Sequence, residues 1–160
     1  MDYCYTDNLD TERLTTRFLT QGDRHLWAKF LGDKECIEFF PKADFKTPSD
    51  RAEFWIDKQI NRYKENRYGL QALINKSTGE FIGQCGLLLQ DVDGVKELEV
   101  GYHIFKNHWG KGYASEAAKF FKDYGFKNKQ AESIISIIHP DNVRSQNVAI
   151  KNGMQNENPP

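Results

Sequence analysis

Two spacings of hydrophobic positions recur along this chain, and together they predict a mixture of strands and helices. Short apolar or alternating runs predict five strands, at residues 13–19, 68–74, 81–89, 97–105 and 133–138. Apolar positions three and four residues apart predict four helices, at residues 22–31, 47–65, 114–126 and 143–152.

Local signals sharpen several of these boundaries. Thr47 is a good helix N-cap, Pro48 suits the first helical position, and Asp50 is placed to complete a capping box. Glycines inside a strand mark a bulge or a close backbone approach, so we expect one of these at Gly83 and Gly86.

The order of the elements predicts one α+β domain over residues 1–160. Turn-forming residues at 75–80 and 91–94 join the middle strands closely, which favours an antiparallel meander. The aliphatic run at 133–138 is typical of a central strand. No internal repeat or inter-domain linker interrupts the pattern.

Composition excludes several classes of function. The chain has 160 residues, a formal net charge of -1 and no long basic run, so we expect no nucleic-acid partner. It begins with no signal-peptide pattern and has no apolar segment of membrane-spanning length. Three widely spaced cysteines predict neither disulfides nor a metal site. A reduced, cytoplasmic setting without a metal is the simplest interpretation.

The most informative segment is a glycine loop between the strand at 97–105 and the helix at 114–126. Free N–H groups at a helix start, approached closely through glycine, suit a diphosphate, and a lysine adds positive charge. An ordinary strand-to-helix turn is the alternative, because two glycines alone are weak evidence. Neither of the two familiar phosphate motifs, the P-loop and the dinucleotide fingerprint, is present. The segment consists of Trp109, Gly110, Lys111, Gly112, Tyr113, Ala114 and Ser115.

This segment resembles the cofactor loop of the GNAT superfamily of N-acetyltransferases, within the branch of RimJ and RimL. Three further segments match that branch in the same order: residues 12–17, residues 99–104, and residues 142–145 with 151–154. The resemblance covers most of the chain, from about Thr11 to Met154. Four ordered matches are far more specific than one.

The resemblance implies how acetyl-CoA would bind. In this superfamily a central, mostly antiparallel sheet has helices on both faces, and two parallel strands splay apart to receive the pantetheine arm. Here these would be the strands at 97–105 and 133–138, with backbone pairing at His103, Ile104 and Phe105. The loop would hold the pyrophosphate. Asn142 matches a residue that contacts the cofactor arm, although it is equally suited to cap its helix.

Two departures from the family pattern bear on the chemistry. Many relatives carry a tyrosine that protonates the leaving thiolate, but Ala149 occupies that position, so the general acid is unassigned. Relatives also continue into one or two more strands past the segment matched at residues 151–154, which leaves open that the last strands are missing from this sequence.

Acetyl transfer to an amine requires a base, an oxyanion site and close positioning of the reactants. Glu99 is the first candidate base, Glu97 on the same strand face is the second, and His103 is the third. The alternative is that Glu99 is a solvent-exposed charge on the strand with no catalytic role. We expect Ser145 to be structural and Cys85 to be a core residue.

The sequence therefore predicts an enzyme that transfers an acetyl group from acetyl-CoA to a primary amine by direct attack. The acceptor would be a protein N-terminus or a small amine such as a polyamine or an aminoglycoside, and the branch resemblance favours a protein N-terminus. A catalytically silent acyl-CoA-binding protein is the alternative. A homodimer is compatible with the sequence, which does not fix the oligomeric state.

Overall fold

Five strands and four α-helices make up the part of the chain that the structure describes. The computed structural model describes residue 5, residues 9–128 and residues 131–157. The strands are β1 (Leu14–Phe18), β2 (Gln71–Asn75), β3 (Phe81–Val92), β4 (Val95–Ile104) and β5 (Ile134–Ile135). The helices are α1 (Arg24–Leu31), α2 (Pro48–Lys64), α3 (Tyr113–Lys127) and α4 (Val143–Lys151).

The strands form one mixed sheet in the order β1-β2-β3-β4-β5. Neighbouring strands from β1 to β4 are antiparallel, whereas β4 and β5 are parallel. Asp93 and Gly94, both at positive φ, form the tight turn that joins β3 to β4. The predicted α+β class and the mostly antiparallel sheet with one parallel pair are confirmed.

Helices cover both faces of the sheet, and each face has its own hydrophobic core. Leu87 and Val100 pack with Phe121 of α3 on one face. Leu88 packs with Trp27 of α1 and Ile56 of α2 on the other. Because side chains alternate along β3 and β4, each strand contributes to both layers.

The start of α2 follows the prediction only in part. Thr47 Oγ1 accepts a hydrogen bond from the Asp50 amide at 3.0 Å, and Pro48 is the first helical residue. The predicted reciprocal cap from Asp50 is wrong, because its Oδ1 instead lies 3.7 Å from Nη2 of Arg24. Glutamate or glutamine usually fills that role, and the aspartate side chain is one carbon shorter.

The glycine prediction in β3 is confirmed. The register between β2 and β3 shifts opposite Gly83, since Leu73 faces Gly83 whereas Ile74 faces Phe81. A Cβ on Gly83 would lie 2.3 Å from the carbonyl oxygen of His103, and one on Gly86 would lie 2.7 Å from that of Gly69. Both positions therefore need glycine for close backbone approach.

The last strand is much shorter than predicted. Residues 133–138 were expected to form a central strand, yet only Ile134 and Ile135 pair with β4, at the edge of the sheet. The aliphatic pattern indicates that these residues are apolar, but it does not indicate at which residue the pairing with β4 ends. That departure creates the opening described next.

Candidate active site

The central feature of the site is a gap where β4 and β5 separate. The two strands pair only at Leu98 with Ile134 and at Glu99 with Ile135. Beyond this point the hydroxyl of Ser136 donates to the Val100 carbonyl at 2.8 Å in place of a backbone ladder. We call the gap between residues 100–104 of β4 and residues 136–139 the wedge.

The hydrogen-bonding pattern shows which backbone groups of β4 face the wedge. Phe105 donates its N–H to the Ile82 carbonyl of β3 at 3.0 Å. Because an antiparallel ladder alternates, His103 and Phe105 turn their backbone toward β3, whereas Tyr102 and Ile104 turn theirs toward the wedge. Of the three predicted pairing residues, only Ile104 thus presents its amide to the wedge, and Tyr102 presents its amide there as well.

A cavity of about 510 Å³ extends from the β4 side of the wedge, at residues 102–104, to the start of α3, whereas residues 136–139 line the second cavity described below. The carbonyl of Ile104 is already occupied, since Trp109 Nε1 donates to it at 2.8 Å. In the described chain, the Tyr102 N–H and C=O and the Ile104 N–H remain available to a ligand. The cavity lining includes Tyr102, Ile104, Gly110, Gly112, Ser115 and Asn142.

The loop before α3 has the conformation that an anion site requires. Gly110 and Gly112 have φ of 77° and 82°, in the left-handed region that favours glycine. Gly112 is the N-cap of α3 and supplies no side-chain cap, so the first N–H groups of the helix stay free toward the cavity. A Cβ on Gly110 would have no neighbour within 4 Å, which leaves room for a ligand.

A network from the residues just before β1 holds this loop in place. Arg13 donates from Nη1 to the Lys111 carbonyl at 2.9 Å and from Nε to Glu116 Oε1 at 2.7 Å. Its guanidinium also lies 4.3 Å from the centroid of the Tyr113 ring. Glu116 accepts two more hydrogen bonds, from the Thr11 hydroxyl and the Arg13 amide. Residues about 100 positions apart in sequence thus fix the loop.

A second cavity, of about 650 Å³, lies on the α2 side of β4. Five residues line both cavities and mark where they meet: Phe40, Tyr102, His103, Asn142 and Ser145. We call this place the junction. A molecule in each cavity would bring its reacting end to the junction, which is the arrangement that direct transfer needs.

Asn142 and Ser145 stand at the start of α4. Asn142 Oδ1 accepts a hydrogen bond from the Ser145 amide at 3.2 Å, so Asn142 is the expected N-cap as well as a lining residue. The Tyr102 hydroxyl donates to the Ser145 carbonyl at 2.7 Å, and burial raises the pKa of that hydroxyl. Sequence reasoning treated Ser145 as structural, and its place at the junction follows only from the fold.

Glu99 lines the second cavity and is 8% exposed. Its Oε1 accepts from Gln90 Nε2 and its Oε2 from the Ile137 amide, each at 3.0 Å. Burial raises the pKa of Glu99, although both hydrogen bonds oppose this. Glu97 lines neither of the two cavities. The structure therefore distinguishes Glu99, which lines a cavity, from Glu97, which lines neither. From the sequence, these two candidate bases could be ranked only by their positions along the strand.

His103 lies at the junction inside a ring of aromatic side chains. Its imidazole is 5.2 Å from the Trp55 ring and 5.3 Å from the Phe40 ring, between centroids, with Trp27 and Phe30 farther out. Burial lowers the pKa of His103 to about 4, so the imidazole is neutral at pH 7.

The remaining candidates are placed as follows. Cys85 is fully buried in the core, as predicted, whereas Cys36 is half-buried and lines the first cavity; Cys4 lies outside the described residues. Arg144 lies over the Trp109 ring at 3.4 Å. Among the described residues, no group of His, Cys, Asp or Glu is arranged to hold a metal ion. None of the helices described is both long and apolar enough to cross a membrane.

Comparison with known proteins identifies the family. Residues 13–155 match the acetyltransferase (GNAT) domain. Among curated proteins, YkkB of Bacillus subtilis is 34% identical over 91% of this chain and 84% of its own length. YnaD of the same organism, an uncharacterized N-acetyltransferase, is 33% identical over 94% of this chain and 84% of its own.

Solved structures share the fold. A GNAT-family acetyltransferase from Bacillus anthracis has a TM-score of 0.77 at 26% identity, over 94% of this chain and 85% of its own. Ribosomal-protein acetyltransferases, RimJ and RimL among them, match with TM-scores of 0.68 to 0.72. Their identities of 11% to 20% show a common fold alone.

Proposed function

The chain is an acetyltransferase of the GNAT family, and on that premise we propose that it transfers an acetyl group from acetyl-CoA to a primary amine in a ternary complex. One observation carries the proposal: two cavities on opposite sides of β4 meet at the junction. Acetyl-CoA takes the first cavity and the amine takes the second. The amine, from a protein N-terminus or a small molecule, then attacks the thioester directly.

The first cavity fits acetyl-CoA at both of its polar regions. The pantetheine amides pair with the free Tyr102 and Ile104 backbone groups, as an added strand would. The pyrophosphate lies against the N–H groups of residues 110–115, where the start of α3 favours negative charge. Arg144 at the cavity wall adds a positive charge near the phosphates.

Glu99 is the stronger base of the two candidates that line the second cavity. An N-terminal amine has a pKa of about 7.7 to 8.0, so moving its proton to His103, with a pKa of about 4, costs about 5 kcal/mol. Because the pKa of Glu99 is raised, it lies closer to the pKa of the amine than the pKa of an ordinary carboxylate does. His103 lies four positions after Glu99 on the strand, about 13 Å away, so we expect a water to relay the proton.

The leaving thiolate needs a proton donor at the junction. Ala149 is buried and has no donor. Ser145 lines both cavities, and we assign its hydroxyl to relay a proton from water to the thiolate sulfur, so that the hydroxyl takes up one proton as it gives up another. A serine is a weak acid, so the contribution is smaller than that of a tyrosine in the same place.

Thiol release in the presence of acetyl-CoA and a panel of amines tests the proposal. Glu99→Gln keeps the shape of the side chain, and the Gln90 amide can rotate to accept from it, so the fold should persist. General-base catalysis contributes about 10²- to 10⁴-fold, and kcat should fall by that factor while the acetyl-CoA affinity is unchanged.

Glu97→Gln is the matched control, because it makes the same change on the same strand outside both cavities. Its kcat should stay near that of the wild type. A normal kcat for Glu99→Gln would refute the assignment of the base. If acetyl-CoA binds but none of the amines tested causes thiol release, the protein is instead a catalytically silent acyl-CoA-binding protein.

A further inference from the structure

The charges of α2 are divided between its two faces. The acidic side chains point toward α1 and its preceding turn: Glu53 lies 3.0 Å from Arg24, and Asp57 accepts from Gln21 at 2.7 Å. Three of the four basic side chains of α2, those of Arg51, Lys58 and Arg62, line the second cavity instead. We call these three residues the basic wall. Their spacing of seven and four places them on one helix face.

None of the three cations has an ion-pair partner among the described residues. Arg62 Nη1 donates to Gln59 Oε1 at 3.1 Å, and Arg51 Nη2 lies 3.4 Å from the Pro41 carbonyl. Burial lowers the pKa of both guanidinium groups, and no described carboxylate lies in contact with either of them. Most of their N–H donors have no hydrogen-bond acceptor within the described part of the chain.

The other walls of the cavity do not balance this charge. Of the described acidic residues, Glu99 alone lines the cavity, and its two oxygens accept hydrogen bonds from Gln90 and Ile137. Much of the remaining surface is aromatic, including Phe39, Phe45, Phe54 and Trp55. A cavity with three cations and one buried carboxyl repels polycations and attracts anions.

We propose that the acceptor is an amine that also carries a carboxylate and an apolar group, and that the basic wall selects the carboxylate. This inference rests on the proposed function, because it requires that the second cavity receives the acceptor. The basic wall extends about 16 Å along α2, enough for a short peptide as well as a small amine. Polyamines and aminoglycosides, which bring several positive charges, are poor acceptors.

Two pairs of acceptors test the charge alone. Phe-Glu-amide and Phe-Gln-amide represent a peptide N-terminus, and 4-(aminomethyl)benzoate and 4-(aminomethyl)benzamide represent a small amine. Within each pair only the carboxylate differs. We expect the acid to have a kcat/KM about tenfold to a hundredfold higher than its amide in at least one pair, and spermidine to be the poorest substrate. The preferred pair identifies the source of the carboxylate.

Variants assign the preference to the basic wall. Arg51→Gln, Lys58→Gln and Arg62→Gln should each reduce the ratio of acid to amide, and the triple variant should bring it near one. Lys64→Gln, an exposed lysine on α2 outside both cavities, should leave it unchanged. Because a ratio is measured, a general loss of kcat from disturbance of Glu99 by Arg62→Gln cancels.

The possible outcomes distinguish the inference about the acceptor from the proposed acetyl transfer. Equal rates for acid and amide in both pairs, or spermidine as the best acceptor, would overturn the inference while acetyl transfer stands. A preference for acids that survives in the triple variant would also overturn it. No thiol release with any acceptor, despite acetyl-CoA binding, would overturn the proposed function and the inference with it.

Discussion

Replacing Glu116 with glutamine should weaken both the fold and the affinity for acetyl-CoA, because this carboxylate holds the loop before α3. Its two oxygens accept three hydrogen bonds, from the Thr11 hydroxyl, the Arg13 amide and Arg13 Nε. Glutamine has only one oxygen, and its NH₂ group would face at least one of these donors. Arg13, which also holds the Lys111 carbonyl, would lose its counter-charge.

The magnitude follows from the bonds lost. A hydrogen bond to a charged group contributes about 1.5 to 3 kcal/mol, and the half-exposed position of Arg13 reduces this, so we expect a loss of about 1 to 2 kcal/mol in unfolding free energy. Burial opposes ionisation of Glu116, but hydrogen bonds from Thr11 and Arg13 outweigh it and hold its pKa below the usual value. The stabilisation is therefore present above the unfolded-state pKa and disappears as pH falls through the folded-state pKa.

Urea unfolding and calorimetry of acetyl-CoA binding measure the two effects. Ordering a loosened loop on binding costs about 0.5 to 1.5 kcal/mol, which corresponds to an affinity about twofold to tenfold weaker. Asp123→Asn is the control, since it breaks an exposed pair with Lys119 on the same helix and should cost at most about 0.5 kcal/mol. Unfolding free energy and affinity equal to those of the control would refute the reasoning.

Three further substitutions have defined outcomes. Gly112→Asp places a side chain and a negative charge at the start of α3, so calorimetry should show no acetyl-CoA binding while circular dichroism is unchanged; normal affinity would exclude the loop as the site. Gly83→Ala should lower the melting temperature, because its Cβ would meet the His103 carbonyl at 2.3 Å, whereas Gly101→Ala, with ordinary contacts of 3.6 Å or more, should be tolerated. Equal melting temperatures would contradict the close approach. Glu99→Gln should raise the melting temperature at pH 7, because burial raises the pKa of Glu99 and its charged form is unfavourable there. The difference should shrink as pH falls toward the unfolded-state pKa, and a pH-independent difference would argue against this cause.

The sequence located the loop between β4 and α3 correctly because the signals that mark it are local. Positive φ at Gly110 and Gly112, and the free start of α3, follow from glycines placed directly before a helical pattern. The capping of α2 by Thr47 and of α4 by Asn142 is equally local. Such features need only a few neighbouring residues, so periodicity and residue type are enough to find them.

The parts that escaped prediction depend on distant pairs. Arg13 and Glu116 form an ion pair although they are far apart in the sequence, and no residue near either one indicates its partner. Just past the end of β5, the Ser136 hydroxyl bonds the Val100 carbonyl, and the two residues are 36 positions apart. The backbone direction of His103 depends on its register with β3, and a shift of one residue would reverse it. These contacts are set by tertiary packing, which one sequence without relatives does not display.

The brief pairing of β4 and β5 has a consequence for the protein between turnovers. The Tyr102 and Ile104 amides form a strand edge inside the domain that no segment of the described chain completes. Unprotected amides of this kind exchange their hydrogens readily with solvent and can template the addition of a foreign strand. Occupancy by coenzyme A would slow exchange at these two amides and close the edge. The concentration of coenzyme A would then affect the stability of the folded protein as well as its catalytic rate.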